Sequence, residues 1–153
     1  MSTVPTGKPR LAAPPEVLDD DPPLSAVMTR DVVTIDAGAR LPTALHIMAT
    51  TAVRHLPVVD RGRCLGVLVE TDLIRSLAAA PHPFATAVTA PLSRLCRPVL
   101  ELPPTARVSD AARYMSTDVS DAVLVTDQRR VLGIVTATDL VRLLARRDAQ
   151  HAP

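Results

Sequence analysis

Apolar residues follow two rhythms along this chain, and the rhythms come in the same order in each half. Residues 32–35 form a short β-branched run that predicts a strand, and Leu41, Leu45, Met48 and Ala52 then recur at spacings that make one helical face. Residues 55–60 and 64–69 are two further strand-like runs, separated by Arg61, Gly62 and Arg63, a tight hairpin in which glycine supplies a positive φ. Residues 71–78 predict a second helix. In the other half, residues 99–102, 108–115, 122–126, 131–136 and 138–145 repeat this order, with residues 127–130 in the hairpin. Each half therefore predicts a β-α-β-β-α unit.

The two halves are copies of one another at an offset of 67 residues, with no insertion. The stretch from Gly66 to Leu73 falls on the stretch from Gly133 to Leu140, and Arg30/Arg97, Met48/Met115, Asp60/Asp127 and Arg75/Arg142 coincide at the same shift. Two equivalent folding units are expected, and ligand sites should come as a related pair. Helices cover one face of each small sheet and leave the other face apolar. The fold class is therefore α/β of the α+β kind, with the two units packed sheet to sheet about a pseudo-two-fold axis. The cleft between the units is the natural binding site.

Composition narrows the function. A chain of 153 residues with 47% hydrophobic content buries one sizeable core, and with a single Phe, a single Tyr and no Trp that core is aliphatic. Lys and Arg number 17 against 16 Asp and Glu, a balance that gives no field for a nucleic-acid backbone or an anionic membrane. No apolar run is long enough to span a bilayer and no secretory signal opens the chain, so a cytoplasmic location is expected. Cys64 and Cys96 read as buried thiols, and the four histidines show no ligand-spaced cluster.

Residues 1–23, rich in proline and carrying the acidic run Asp19, Asp20 and Asp21, predict a flexible tail. The first repeat is placed at 24–80, a proline-punctuated linker at 81–91, the second repeat at 92–147 and a second flexible tail at 148–153.

Val27, Met28 and Thr29, then the helix, then Leu56, Pro57, Val58, Val59 and Asp60, then Gly66 to Leu73, with a second copy of the same order, resemble the CBS domain. The resemblance implies a tandem pair, or Bateman module. Such a module is a non-catalytic regulatory unit that binds AMP, ADP, ATP, NAD or S-adenosylmethionine between the repeats, requires no cofactor, forms a homodimer through its helices and acts on a separate effector protein. An enzyme is not expected, because no nucleophile-base pairing, metal-ligand spacing or glycine-rich phosphate loop is present.

A strand that ends where a helix begins offers unsatisfied N–H groups and a positive dipole end to an anion. In the second repeat Thr136 suits a phosphate and Asp139 a ribose, while residues of this kind also serve as helix caps. In family terms Thr136 and Asp139 face residues 28–33 and 53–55, which brings Val33, Val53 and His55 to that cleft. The other cleft joins Asp72 to residues 95–100, Leu100 among them, and to residues 120–122. Val69 replaces the hydroxyl there. The same resemblance sets Arg54 beside Asp72, so that one cleft holds the hydroxyl and the other the guanidinium. An adaptor homodimer without nucleotide binding is the alternative that Val69 and Asp121 favour.

Overall fold

The computed structural model describes residues 20–79, 89–118 and 120–151. In chain order the elements are α1 (Leu24–Val27), β1 (Ile35–Asp36), α2 (Leu41–Thr51), β2 (His55–Asp60), β3 (Arg63–Val69), α3 (Glu70–Ala79), α4 (Leu92–Leu95), β4 (Leu100–Leu102), α5 (Val108–Thr117), β5 (Ala122–Asp127), β6 (Arg130–Thr136) and α6 (Ala137–His151). Each repeat holds a three-stranded sheet with its hairpin antiparallel and its first strand parallel to the middle one, in the order β1-β2-β3 and β4-β5-β6. The predicted β-α-β-β-α unit is present twice, each preceded by a short helix that the sequence reading did not include.

Period-two alternation sorts the strand residues between two kinds of core. Leu56, Val58 and Leu68 join Leu41, Ala44, Met48 and Leu73 under the helices of the first repeat, and Val123, Val125 and Val135 join Ala111 in the second. The opposite faces meet each other: Val67 and Val69 pack with Ala122, Leu124 and Ile134 in a core between the sheets. Both faces of each hairpin are buried, which explains the nearly unbroken apolar runs.

The leading helices are exchanged. Leu24 of α1 is fully buried in the core of the second repeat, and Leu92 of α4 in the core of the first. Beyond α1, Thr29 exchanges backbone hydrogen bonds of 2.9 and 3.0 Å with Ile134 on the edge of β6, and beyond α4, Arg97 exchanges bonds of 2.9 and 3.0 Å with Val67 on the edge of β3. Gly66 and Gly133 permit these approaches. A Cβ on Gly66 would stand 2.6 Å from the Arg97 carbonyl oxygen, and one on Gly133 would stand 2.5 Å from the Met28 sulfur.

Several boundaries differ from the sequence expectation. The repeat correspondence is not a constant 67: α1 and α4 start at Leu24 and Leu92, while Ile35 and Leu102 hold equivalent register against Val58 and Val125. The second repeat is thus one residue shorter in the crossing segment, and the counterpart of Arg97 is Thr29 rather than Arg30. Among residues 32–35 only Ile35 is in a strand, because the chain there is still crossing from one repeat to the other, and Val99 likewise precedes β4. The buried face of α2 is Leu41, Ala44 and Met48, with Leu45 half-buried, and Ala52 lies past the helix in the left-handed region at φ 56°.

Both tails are shorter than expected where they are described. The Asp21 carboxylate accepts hydrogen bonds from Ser109 N (2.8 Å) and Ser109 Oγ (2.6 Å), the Pro22 carbonyl accepts from Val108 N (3.1 Å), and Arg107 donates to the Asp21 carbonyl (2.8 Å). A remote segment thereby caps the first turn of α5. Helix α6 runs to His151 rather than ending at 145, and Arg147 donates to the Asp20 carbonyl. Residues 1–19, 152–153 and most of the predicted linker lie outside the described residues.

The two glycines separate in a mutational test. Gly66→Ala meets a backbone carbonyl and should cost about 1–3 kcal/mol, more than Gly133→Ala, whose neighbour is a pliable methionine side chain, as measured by urea denaturation. The bonds from Ser109 hold the Asp21 carboxyl below its ordinary range. Its contribution is therefore complete above the ordinary carboxylate pKa and is lost as pH falls through the lowered value. On acidification from about pH 5 to 2, stability should fall more steeply for the wild type than for Asp21→Asn.

Candidate functional site

Sheet-to-sheet packing and the exchanged helices leave two related clefts, each walled by the strand-to-helix junction of one repeat and the pre-β2 or pre-β5 loop of the other. The larger, of about 470 Å³, is lined by Thr136, Thr138, Asp139 and Arg142 from the second repeat and by Thr29, Val53, Arg54 and His55 from the first. A groove of about 400 Å³ shares Thr29, Asp139 and Arg142 with it and runs on to Arg146. The other cleft, also about 400 Å³, is lined by Val69, Thr71, Asp72 and Arg75 from the first repeat and by Arg97, Met115, Ser120 and Asp121.

In the Asp139 cleft the junction is a closed capping box. The Thr136 amide and hydroxyl both donate to Asp139 Oδ2 at 2.9 Å, and the Asp139 amide approaches Thr136 Oγ1 at 3.4 Å. Asp139 Oδ1 lies outside this box, 3.7 Å from Arg142, and the side chain is 15% exposed. The helix cap and the predicted ligand contacts are thus the same two residues, and capping engages Oδ2 while leaving Oδ1 outside the box.

Arg54 stands in this cleft, not beside Asp72. Its carbonyl accepts from Glu70 N (3.0 Å) of its own repeat, while its side chain lines the opposite cavity with Thr136 and Asp139. Hydroxyl and guanidinium therefore share one cleft, which corrects the expected division between two. The repeat counterpart of Arg54 is Asp121, so the Asp72 cleft has a carboxylate where the Asp139 cleft has a cation.

Val33 and Leu100 line neither cleft. They are equivalent positions, and each packs against the helix–sheet core of its own repeat, Val33 with the first and Leu100 with the second. Val53 and His55 line the Asp139 cleft. The left-handed turn at Ala52 ends α2 and leads the chain into that loop. His55 Nε2 lies 2.9 Å from Asp121 Oδ1, a charge contact when the imidazole is protonated, but off the hydrogen-bonding direction. It joins the walls of the two clefts.

In the Asp72 cleft the carboxylate is already engaged. Arg97 Nε donates to Asp72 Oδ2 at 2.7 Å, its Nη2 pairs with the same oxygen, and Arg75 lies 3.5 Å from Oδ1. Arg97 falls within the segment 95–100 expected to face Asp72, but sequence reasoning did not single it out, because a constant repeat offset matched it to Arg30, which turns away to donate to the Ser25 carbonyl at 2.9 Å. Thr138 and Arg142 were not expected as lining residues, while Thr29 belongs to the segment 28–33 that was.

Cys64 and Cys96 are free thiols whose pKa burial pushes up. Among the described residues no group of three or more His, Cys, Asp or Glu is placed to hold a metal, and no helix is long and apolar enough to cross a membrane.

The sequence matches the family described as CBS domain at residues 24–79 and again at 92–146. Among solved structures, the CBS domain pair of protein MJ0100, in complex with methylthioadenosine and S-adenosyl-L-methionine, is 26% identical with a TM-score of 0.69, covering 80% of this chain and 98% of that one. Protein MJ1225 of Methanocaldococcus jannaschii is 26% identical with a TM-score of 0.70, covering 82% of this chain and 49% of that one. A homoserine O-acetyltransferase of Methanococcoides burtonii is 32% identical over 120 residues, 77% of this chain and 23% of that protein. The chain spans about a quarter of the length of this transferase and of a second curated one.

The capping box makes a prediction that needs no ligand. Thr136→Val should lower stability by about 1 kcal/mol, because α6 loses its cap; thermal unfolding of the variant checks this.

Proposed function

Because the chain belongs to the CBS domain family, with two copies of the domain, we propose that it is a non-catalytic regulatory module that senses an adenosine-containing ligand between its repeats. AMP, ADP and ATP are the first ligands to consider, with NAD and S-adenosylmethionine next. The observation that carries this reading is the convergence of Thr136, Asp139 and Arg54 on one cleft. The open oxygen of Asp139 suits the hydroxyls of a ribose. The start of α6 and the guanidinium groups of Arg54 and Arg142 suit an anionic group. The adenosine ligands of the MJ0100 domain pair support the same class. The transferase activity of longer relatives is not carried over, since the match covers only a fraction of them.

Ligand bound between the repeats touches both, so it can bias their relative position only to the extent that it binds one arrangement better. A separate effector protein reads that bias in this proposal. Ile74 on α3 and its repeat counterpart Val141 on α6 stand exposed, as does Leu144, and the proposal places a homodimer contact on these helices. A cytoplasmic location accords with this role. No cofactor is required.

A second reading is an adaptor homodimer that binds no nucleotide. It is favoured by the closed Thr136–Asp139 box and by the occupied Asp72. Thermal shift with AMP, ATP, NAD and S-adenosylmethionine separates the two, since a ligand at one hundred times its Kd adds about 2.7 kcal/mol to the folded state. The sensing reading expects a rise with at least one adenosine compound, lost in Asp139→Ala. Arg54→Ala should weaken AMP roughly 10-fold or more while leaving uncharged adenosine nearly unchanged. No shift with any of the four at millimolar concentration decides for the adaptor.

A further inference from the structure

We infer that Arg97 is a built-in occupant of the Asp72 cleft, so that the chain has one nucleoside site, at Asp139, rather than the two that its duplication suggests. The inference rests on the nucleotide reading of these clefts and deepens it by assigning the residue that sets the number of sites.

The repeats make the comparison internally controlled. Arg97 and Thr29 hold the same place: each follows its leading helix by the same number of residues, and each exchanges two backbone hydrogen bonds with the edge strand of the other repeat, Arg97 with Val67 and Thr29 with Ile134. Both side chains line a cleft. The threonine is short and leaves Oδ1 of Asp139 open, with Arg142 at 3.7 Å as its nearest cation. The arginine crosses its cleft and places two guanidinium nitrogens on Asp72 Oδ2, with Arg75 near Oδ1.

The pair is half-buried, Asp72 being 23% and Arg97 38% exposed. A charge-assisted contact between groups of this exposure outcompetes a neutral ribose hydroxyl, which offers the carboxylate a weaker donor and brings no charge. The backbone bonds to Val67 fix where the Arg97 side chain leaves the main chain, on the wall facing Asp72. The remaining lining residues reinforce the exclusion. Val69 gives no hydroxyl, and Asp121 opposes an anionic tail.

Calorimetric titration of the full chain with AMP and with uncharged adenosine counts the sites. One site per chain is expected in the wild type. Arg97→Thr, which copies the other cleft, should add a second site for adenosine, and Arg97→Gln should do so more weakly; both keep the backbone bonds to Val67. The reverse change, Thr29→Arg, should weaken binding at the Asp139 cleft at least about 10-fold, with unchanged circular dichroism showing that the variant is folded. Two sites in the wild type, or one site unchanged in Arg97→Thr, overturn the inference and leave the nucleotide reading intact. A site that appears only in Arg97→Thr overturns the count of one site in the wild type and removes Asp139 as a ligand contact. No binding in any variant overturns both.

Discussion

The structure depends on one exchange: the segment leading into each repeat is built into the other. Leu24 completes the second core and Leu92 the first, and Thr29 and Arg97 extend the opposite sheets by backbone pairing. Burying a leucine of this kind contributes about 1.5–3 kcal/mol, so each repeat depends on its neighbour for a substantial part of its own helix–sheet core. The glycines at 66 and 133 make the approach sterically open. Without this exchange the inter-sheet cluster around Val67, Leu124 and Ile134 would have to hold the repeats alone.

The same exchange decides what the clefts are made of. Because the crossing segments pass along the edges of β3 and β6, the residue just beyond each leading helix is delivered to a strand-to-helix junction. The duplication supplies two copies of that geometry, and local substitutions then make them unlike. Threonine against valine at the junction, arginine against aspartate in the loop and threonine against arginine on the crossing segment all separate the clefts in the same sense. One accumulates groups for an anionic ligand, and the other satisfies its carboxylate internally.

Much of this was legible in the chain because local signals and burial agree. The hairpins could be read from the position of Gly62 and the flanking β-branched runs, and the sheet-to-sheet arrangement follows from strands that are apolar on both faces. Strand β1 was not legible, since Val32 and Val33 have strand character but lie in the crossing segment, where Val32 packs between the sheets and Val33 on the first core. Thr136 and Asp139 could be placed because their chemistry is local, three residues apart at a helix start. Arg54 could not, because a side chain's cleft depends on which way its backbone is turned against the opposite repeat. Arg97 was hidden by a single missing residue, which shifts the correspondence only before β4 and leaves the stronger motifs downstream in phase. Asp21 was read as part of a tail because its partner, Ser109, is remote in sequence.

Exchange of the leading segments also makes the unit indivisible in a particular way. Neither half excised on its own would have a leucine to close its helix–sheet core, whereas two separate half-length fragments carry every group needed to rebuild both. The covalent connection between α3 and α4 therefore raises the local concentration of the two parts. An ancestor with a single repeat would have met the same requirement by trading its leading segment with a second molecule, and fusion of two such genes would have turned that trade between chains into one within a chain.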